Sequence, residues 1–191
     1  RGARTPRKPG HARPLRRAFG GTGIDRTHGS DILGSDLLLT NSRGALAVPI
    51  AEWVVMLMLM LAKRIRQLGD QQQQKRWERF TAGDLDGKTV GVLGLGHIGE
   101  ATARRCKAFG MRVLATRRSC TRRESRDDGM ADEVFPPGQV LEMLPQCDFV
   151  VLALPLTAET RHILGERELR ALKPAAFVIN VGRGGLIDEP A

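Results

Sequence analysis

Three short apolar runs punctuate the chain: Thr89-Val-Gly-Val-Leu93, Phe149-Val-Val-Leu-Ala153 and Ala176-Phe-Val-Ile-Asn180. Each is rich in β-branched or aromatic residues, bounded by turn formers and apolar at consecutive positions, the pattern of a strand buried on both faces in a parallel sheet. Arg112–Ala115 reads as a fourth strand. Between the runs the spacing is helical. Glu100–Phe109 leads to Gly110, which is placed to stop a helix. Val140–Leu144 reads as a short helix, and Glu166–Leu172 as another that Pro174 ends. Pro49 to about Leu68 is the longest predicted helix; Pro49 suits a first helical position and Glu52 the positive end of the dipole. Its stretch Trp53–Leu61 is apolar on every side, so it is expected to be covered all round, by its own sheet and by another domain or subunit. Gln71–Gln74 with Lys75 and Arg76 reads as polar surface, Asp86-Gly87-Lys88 as a turn, and the charged stretch from Arg118 to Asp128 as irregular. Strands alternating with helices predict an α/β fold built on a doubly wound parallel sheet.

Ahead of Pro49 the pattern is weaker. Residues 1–13 are Arg, Pro and Gly without periodicity and are expected to be disordered. Leu15–Phe19 is a poor strand candidate and Asp36–Thr40 a better one; Asp31–Ser35 reads as a helical turn and Asn41–Gly44 as a turn. Gly20–Asp25 is a glycine loop whose exposed N–H groups can hold a carboxylate, although a plain turn fits the spacing equally well.

Composition changes this picture in three ways. With 191 residues, 41% of them hydrophobic, the chain can bury a sizeable core in one domain or in parts of two. The net charge of +9 is concentrated in residues 1–26, where eight basic side chains face Asp25 alone. The basicity therefore belongs to a leader, residues 1–19, that carries no secretory h-region; a basic arm can grip nucleic acid, but a disordered leader is the stronger reading, and no nucleic-acid partner is expected. Cys106, Cys120 and Cys147 show no paired spacing, as free thiols of a reducing cytoplasm would, and the four histidines show no metal spacing, so no metal site is expected. The longest apolar run, Trp53–Ala62, is about half of what a membrane span needs. The chain begins at Arg1 rather than Met and ends at Ala191 where a helix would start, so a fragment is expected.

The candidate chemistry lies in the glycines after the first strand, Gly94-Leu-Gly96-His97-Ile98-Gly99. Gly94 allows a sharp turn, Gly96 lets a pyrophosphate approach the backbone, and Gly99 lets the helix pack close to the sheet. The free N–H groups around His97 and Ile98 would face the phosphates at the positive end of the helix. A second strand within about 30 residues makes this a dinucleotide-binding fingerprint of the Rossmann type rather than a chance glycine turn. Ligands of such sheets sit at the carboxyl ends of the strands. The Gly94 loop, Thr116–Arg118, Leu154–Thr160 and Val181–Arg183 are all expected there.

Five stretches together resemble the D-isomer-specific 2-hydroxyacid dehydrogenases, the group of glyoxylate/hydroxypyruvate reductases and phosphoglycerate dehydrogenase. They are Gly-Thr-Gly-Ile-Asp at 21–25, Thr-Asn-Ser-Arg-Gly with Pro-Ile-Ala-Glu-Trp between 40 and 53, Leu-Asp-Gly-Lys-Thr-Val-Gly-Val-Leu-Gly-Leu-Gly-His-Ile-Gly at 85–99, Leu-Pro-Leu-Thr-Ala-Glu-Thr at 154–160 and Ile-Asn-Val-Gly-Arg-Gly-Gly-Leu-Ile-Asp at 179–188. The resemblance implies two similar α/β domains: here a remnant of a flavodoxin-like substrate domain at 20–50 and an NAD(P)-binding Rossmann domain at 51–191. It implies that Gly94, Gly96, His97, Ile98 and Gly99 surround the pyrophosphate and that Thr116, Arg117 and Arg118 meet the adenosine ribose. Leu154, Pro155 and Thr160 would lie along the cofactor, with Val181 and Gly182 near the nicotinamide. Arg183 matches the family's catalytic arginine, which grips the substrate carboxylate and polarises the keto oxygen, and Gly21, Thr22 and Gly23 would offer amides to the same carboxylate. It also implies a homodimer through the helix around Trp53–Leu61 and a small 2-ketoacid or 2-hydroxyacid as substrate.

The chain departs from the family pattern at two points. The ribose position usually holds an acidic residue; here Thr116-Arg117-Arg118 carries none, so among NAD(P)H cofactors NADPH is favoured. The family's Glu–His pair, which donates the proton, would lie beyond the arginine motif, and His162, expected to face solvent, is no substitute. Turnover by the chain alone is therefore not expected. The competing reading is a non-enzymatic, corepressor-like dinucleotide-binding module.

Overall fold

Consecutive buried positions along the central strands require a sheet covered on both faces. In the computed structural model, residues 44–125 and 129–191 are described. They contain, in order, helix α1 (Ala47–Ala62), helix α2 (Ile65–Gln73), strand β1 (Thr89–Leu93), helix α3 (His97–Ala108), strands β2 (Arg112–Thr116), β3 (Glu124–Ser125) and β4 (Glu133–Phe135), helix α4 (Val140–Met143), strand β5 (Phe149–Leu152), helix α5 (Glu166–Arg170) and strand β6 (Phe177–Asn180). Short 3₁₀ turns at Pro137–Gln139, Leu144–Gln146 and Gly184–Leu186 complete the path. The expected strand and helix candidates before Gly44, the leader, and the loop holding Gly21, Thr22 and Gly23 lie outside the described residues.

The described strands form one six-stranded sheet in the order β3-β4-β2-β1-β5-β6. All neighbours are parallel except the β3–β4 pair at one edge. Val90 lies opposite Val113 on one side and Phe149 on the other, and Phe149 opposite Phe177. Because side chains alternate across a strand, the two faces carry separate cores. Val90, Val92, Val113, Ala115 and Val151 point to the face covered by α1 and α3, through Val54, Met58, Ala103 and Cys106. Leu93, Leu114, Val150 and Leu152 point to the other, where Met143, Leu144, Leu164 and Leu186 cover them. The doubly wound arrangement predicted from the sequence is thus present, with an antiparallel addition at one edge.

Several element boundaries differ from expectation. The long helix begins at Ala47, so Pro49 is its third residue, still within the turn whose N–H groups need no intrahelical partner. It ends at Ala62 rather than running to Leu68: Arg64 adopts a left-handed conformation, φ 51°, and α2 starts afterwards. The break frees the carbonyl of Ala62 to accept from Gly83 N–H at 2.9 Å. Its apolar surface is covered only in part by the described residues, as expected if another domain or subunit covers the rest. Ala51, Val54, Val55 and Met58 are buried, but Trp53 is 58% exposed, and Met56, Met60 and Leu61 also face outward. The segment expected to be irregular holds β3, and β4 was not foreseen at all. β6 is an edge strand with only Ile179 buried, because no described strand pairs on its outer side.

Candidate functional site

Parallel strands place their carboxyl ends on one edge, and the loops that leave β1, β2, β5 and β6 are tied together there. Leu95 N–H donates to the Thr116 carbonyl at 2.9 Å, and Gly94 N–H to Thr116 Oγ1 at 3.1 Å. Ala153 N–H donates to Leu93 O at 2.9 Å, and Val181 N–H to Leu152 O at 3.1 Å. The structure therefore brings the four predicted loops side by side in the order Thr116, Gly94, Leu154, Val181.

The glycines of these loops fall into two groups. Gly94 has φ 99°, and a Cβ there would stand 2.7 Å from Leu154 Cδ2 and 2.9 Å from the Ala153 carbonyl oxygen. A Cβ on Gly99 would overlap the Gly94 carbonyl, and one on Gly182 would come within 2.8 Å of Leu154 O. The protein's own packing requires these three to be bare. Gly96 is different: its backbone is extended, with φ −102°, and a Cβ would meet nothing within 4 Å. It opens onto free space at the start of α3, a helix that no side chain caps. The first-turn N–H groups at His97 and Ile98 have no intrahelical acceptor and lie beside this opening. The His97 ring itself turns back towards Gly44, where a Cβ would lie 3.4 Å from its Cγ, so the backbone rather than the imidazole is what this residue offers an anion.

At the end of β2, Thr116 is buried and spends its hydroxyl on Gly94. Arg117 is half-buried, its Nη2 lying 3.4 Å from Glu100 Oε1. Together with Ser119, Cys120, Thr121, Arg122 and Glu124 it lines a polar recess of about 160 Å³. Arg118 is exposed and reaches towards the loop after β5, where Glu159 is held below its usual range chiefly by the Thr157 hydroxyl and in small part by the Arg118 charge. In that loop Thr160 Oγ1 donates to the Pro155 carbonyl at 2.6 Å and accepts from Thr157 N–H at 2.8 Å. Thr116 and Thr160 thus act as braces of the edge.

Arg183 follows β6 on the same edge and is exposed. Its Nη1 donates to Gly182 O at 3.1 Å, and no ion pair engages it among the described residues. Asn180, which sequence reasoning did not single out, fixes this loop: its Oδ1 accepts from Gly182 N–H and its Nδ2 donates to Arg183 O, both at 2.9 Å. The signal was its place at the end of the strand, directly before the Val-Gly-Arg turn. His162 is exposed, as expected. Its side chain is 47% exposed, with Nδ1 3.9 Å from Asp188 Oδ1. Among the described residues no group of three metal-ligating side chains is placed to hold an ion. A recess of about 550 Å³ lies elsewhere, between α1 and the end of α3, lined by Val55, Met56, Leu59 and Phe109.

The arrangement, a bare and uncapped helix start flanked by cationic loops, suits a dianionic ligand stretched along the edge, with an unpaired guanidinium at one end. Comparison with known proteins agrees. Residues 55–191 match the model of the D-isomer specific 2-hydroxyacid dehydrogenase NAD binding domain. The chain is 36% identical over 178 residues to a glyoxylate reductase of Thermococcus gammatolerans, covering 88% of this chain and 52% of that protein. It superposes on a glycerate dehydrogenase related protein from Thermoplasma acidophilum with TM-score 0.72 and 31% identity, covering 84% of this chain and 55% of the other. An NADPH-dependent glyoxylate/hydroxypyruvate reductase from Sinorhizobium meliloti, in apo form, gives TM-score 0.68 at 28% identity, covering 79% and 74%. The chain spans about half the length of the curated glyoxylate reductases it matches.

Proposed function

Since the chain belongs to the D-isomer specific 2-hydroxyacid dehydrogenases through their NAD-binding domain, we propose that it is the dinucleotide-holding part of a cytoplasmic oxidoreductase that moves a hydride between NAD(P)H and a small 2-ketoacid or D-2-hydroxyacid. The observation that carries this reading is Gly96: it alone among the edge glycines discussed has room for a side chain, and its bareness is explained by a group that approaches from outside. The relatives matched are reductases and dehydrogenases, and nothing favours a corepressor-like module.

The roles follow from what each residue presents. When bound, the cofactor supplies or accepts the hydride. The amides of His97 and Ile98 hold its diphosphate at the positive end of α3. Gly94 and Gly99 keep the loop low enough for that contact, with Thr116 bracing it from β2. Leu154 and Pro155 form a wall along the cofactor, held by Thr160, and Val181 and Gly182 flank the reacting end. Arg183 has a free guanidinium to pair with the substrate carboxylate and to polarise the keto oxygen as it gains negative charge. Neither His97, beside Gly44, nor His162, beside Asp188, is assigned as the proton donor, because the family's Glu–His pair would follow the arginine motif. Ketoacid-dependent NADPH oxidation by the purified chain of 191 residues would contradict this.

NADPH is favoured over NADH, because Thr116-Arg117-Arg118 at the end of β2 carries two arginines and no carboxylate. A second copy is proposed to cover the outward apolar face of α1. Arg117→Asp is expected to shift the ratio of NADPH to NADH affinity towards NADH by about tenfold or more. An unchanged ratio in paired titrations would sink the assignment of Arg117 to the ribose end.

A further inference from the structure

Arg117 is not a solitary cation. Its guanidinium lies 3.4 Å from Glu100, with 37% of the Arg117 side chain and 27% of Glu100 exposed. Glu100 sits in the first turn of α3, directly after Gly99 and one turn from the amides assigned to the diphosphate. An acid in a first helical turn is favourable through the dipole alone. That role does not account for its reach across to β2. The pair is part-buried but rests on one long contact, so an arriving phosphate can share the guanidinium with the carboxylate. The planar guanidinium has two usable edges. One turned to Glu100 leaves the other for a ligand, and Arg117 also borders the recess formed with Ser119, Thr121 and Arg122.

We propose that Glu100 is a positioning residue that sets cofactor choice through Arg117. It holds the guanidinium at the end of β2 and offsets part of its charge, so that the chain discriminates between NADPH and NADH less sharply than two adjacent arginines would. This rests on the dinucleotide reading above. The 2′-phosphate is the group by which the two cofactors differ, so a carboxylate one guanidinium away from it repels NADPH selectively. The diphosphate is common to both, and any effect of Glu100 on it cancels in the ratio of affinities.

The test is titration of the purified chain, wild type and Glu100→Gln, with NADPH and with NADH, followed by fluorescence. Glutamine keeps the length and a hydrogen-bond acceptor for Arg117 while removing the charge. The ratio Kd(NADH)/Kd(NADPH) is expected to rise roughly three- to tenfold in the variant. That rise should shrink at high ionic strength. Glu100→Ala, a good helix former, is the companion variant should the glutamine fold poorly, and is expected to move the ratio the same way. A role confined to helix stability would shift both constants together and leave the ratio where it was, which would overturn the proposal, as would a fall in the ratio. A wild type that prefers NADH contradicts the assignment of Arg117 and Arg118 but not this inference, if Glu100→Gln still raises the ratio. Binding of neither dinucleotide by wild type overturns both.

Discussion

Cys106 and Cys147 are fully buried, one against Met58 under α1 and the other beneath Gly91, and burial pushes each thiol up to about 12. Cys120 is only half-buried, its Sγ near the Arg122 carbonyl at 2.9 Å. Reactivity follows thiolate content and access. In the native chain at about pH 8, Cys120 alone should react promptly with a thiol reagent, and all three cysteines should do so in urea. Prompt labelling of Cys106 or Cys147 without denaturant would show that the core is not packed as described. At this scale the sequence was informative where the constraint is local. Gly94 and Gly99 could be placed from spacing, because the turn and the close helix approach depend on neighbours within a few residues. Thr160 and Asn180 also bond to near neighbours, Pro155 and Thr157 or Gly182 and Arg183, by side-chain contacts that residue type alone does not announce. Thr116 is different. Thr116 has its partner 22 residues away in the loop after β1, so nothing in the local sequence marks it as a brace.

Two aspartates clamp the amino ends of the strands, opposite the site. Asp148 Oδ2 accepts from Thr89 N–H at 2.8 Å and its Oδ1 pairs with Lys173 at 2.9 Å. Asp132 does the same for Val113 N–H at 2.7 Å, paired with Lys107 at 2.8 Å. Desolvation alone would raise both carboxyls, but the N–H and lysine contacts outweigh it and hold each below the ordinary 3.8. A carboxyl depressed on folding adds stability that is fully present above its unfolded value and is lost as pH falls through the folded one. The urea midpoint should therefore hold down to about pH 4 and drop as pH falls further, and Asp148→Asn should lower it at pH 7 while flattening that acid limb. An acid limb of wild-type steepness in Asp148→Asn would contradict the clamp. Sequence reasoning placed β1, β2, β5 and the start of α3 because each is a clear run between turn residues. It missed β4, whose three residues Glu133–Phe135 are closed by Pro136 and paired through Glu133 with Arg112 and Arg123. It ran α1 past Ala62 because no glycine or proline marks the break, and the contact with Gly83 that accompanies it is distant in sequence.

The exposed side of α1, with Trp53, Met56, Met60 and Leu61, is too apolar for a face meant to stay in water. Sedimentation should find the chain as a dimer, and Trp53→Glu should convert it to monomer without loss of secondary structure; a wild-type monomer at micromolar concentration would remove the case for a second copy. The number of partners could not be settled from sequence, because an all-apolar helix is equally consistent with a covering domain of the same chain. The edge where the loops meet was legible as a whole, since parallel connectivity leaves the loops after β1, β2, β5 and β6 on one side. The assignment of that edge to a dinucleotide is tested most directly by adding NADPH to the isotope-labelled chain and following its backbone amide resonances. Perturbations are expected to cluster at Gly94–Gly99, Thr116–Arg118, Leu154 and Val181–Arg183 while Thr89, Val113 and Asp148 stay still. Saturable shifts centred at the opposite ends of the strands, or none at millimolar NADPH, would contradict it.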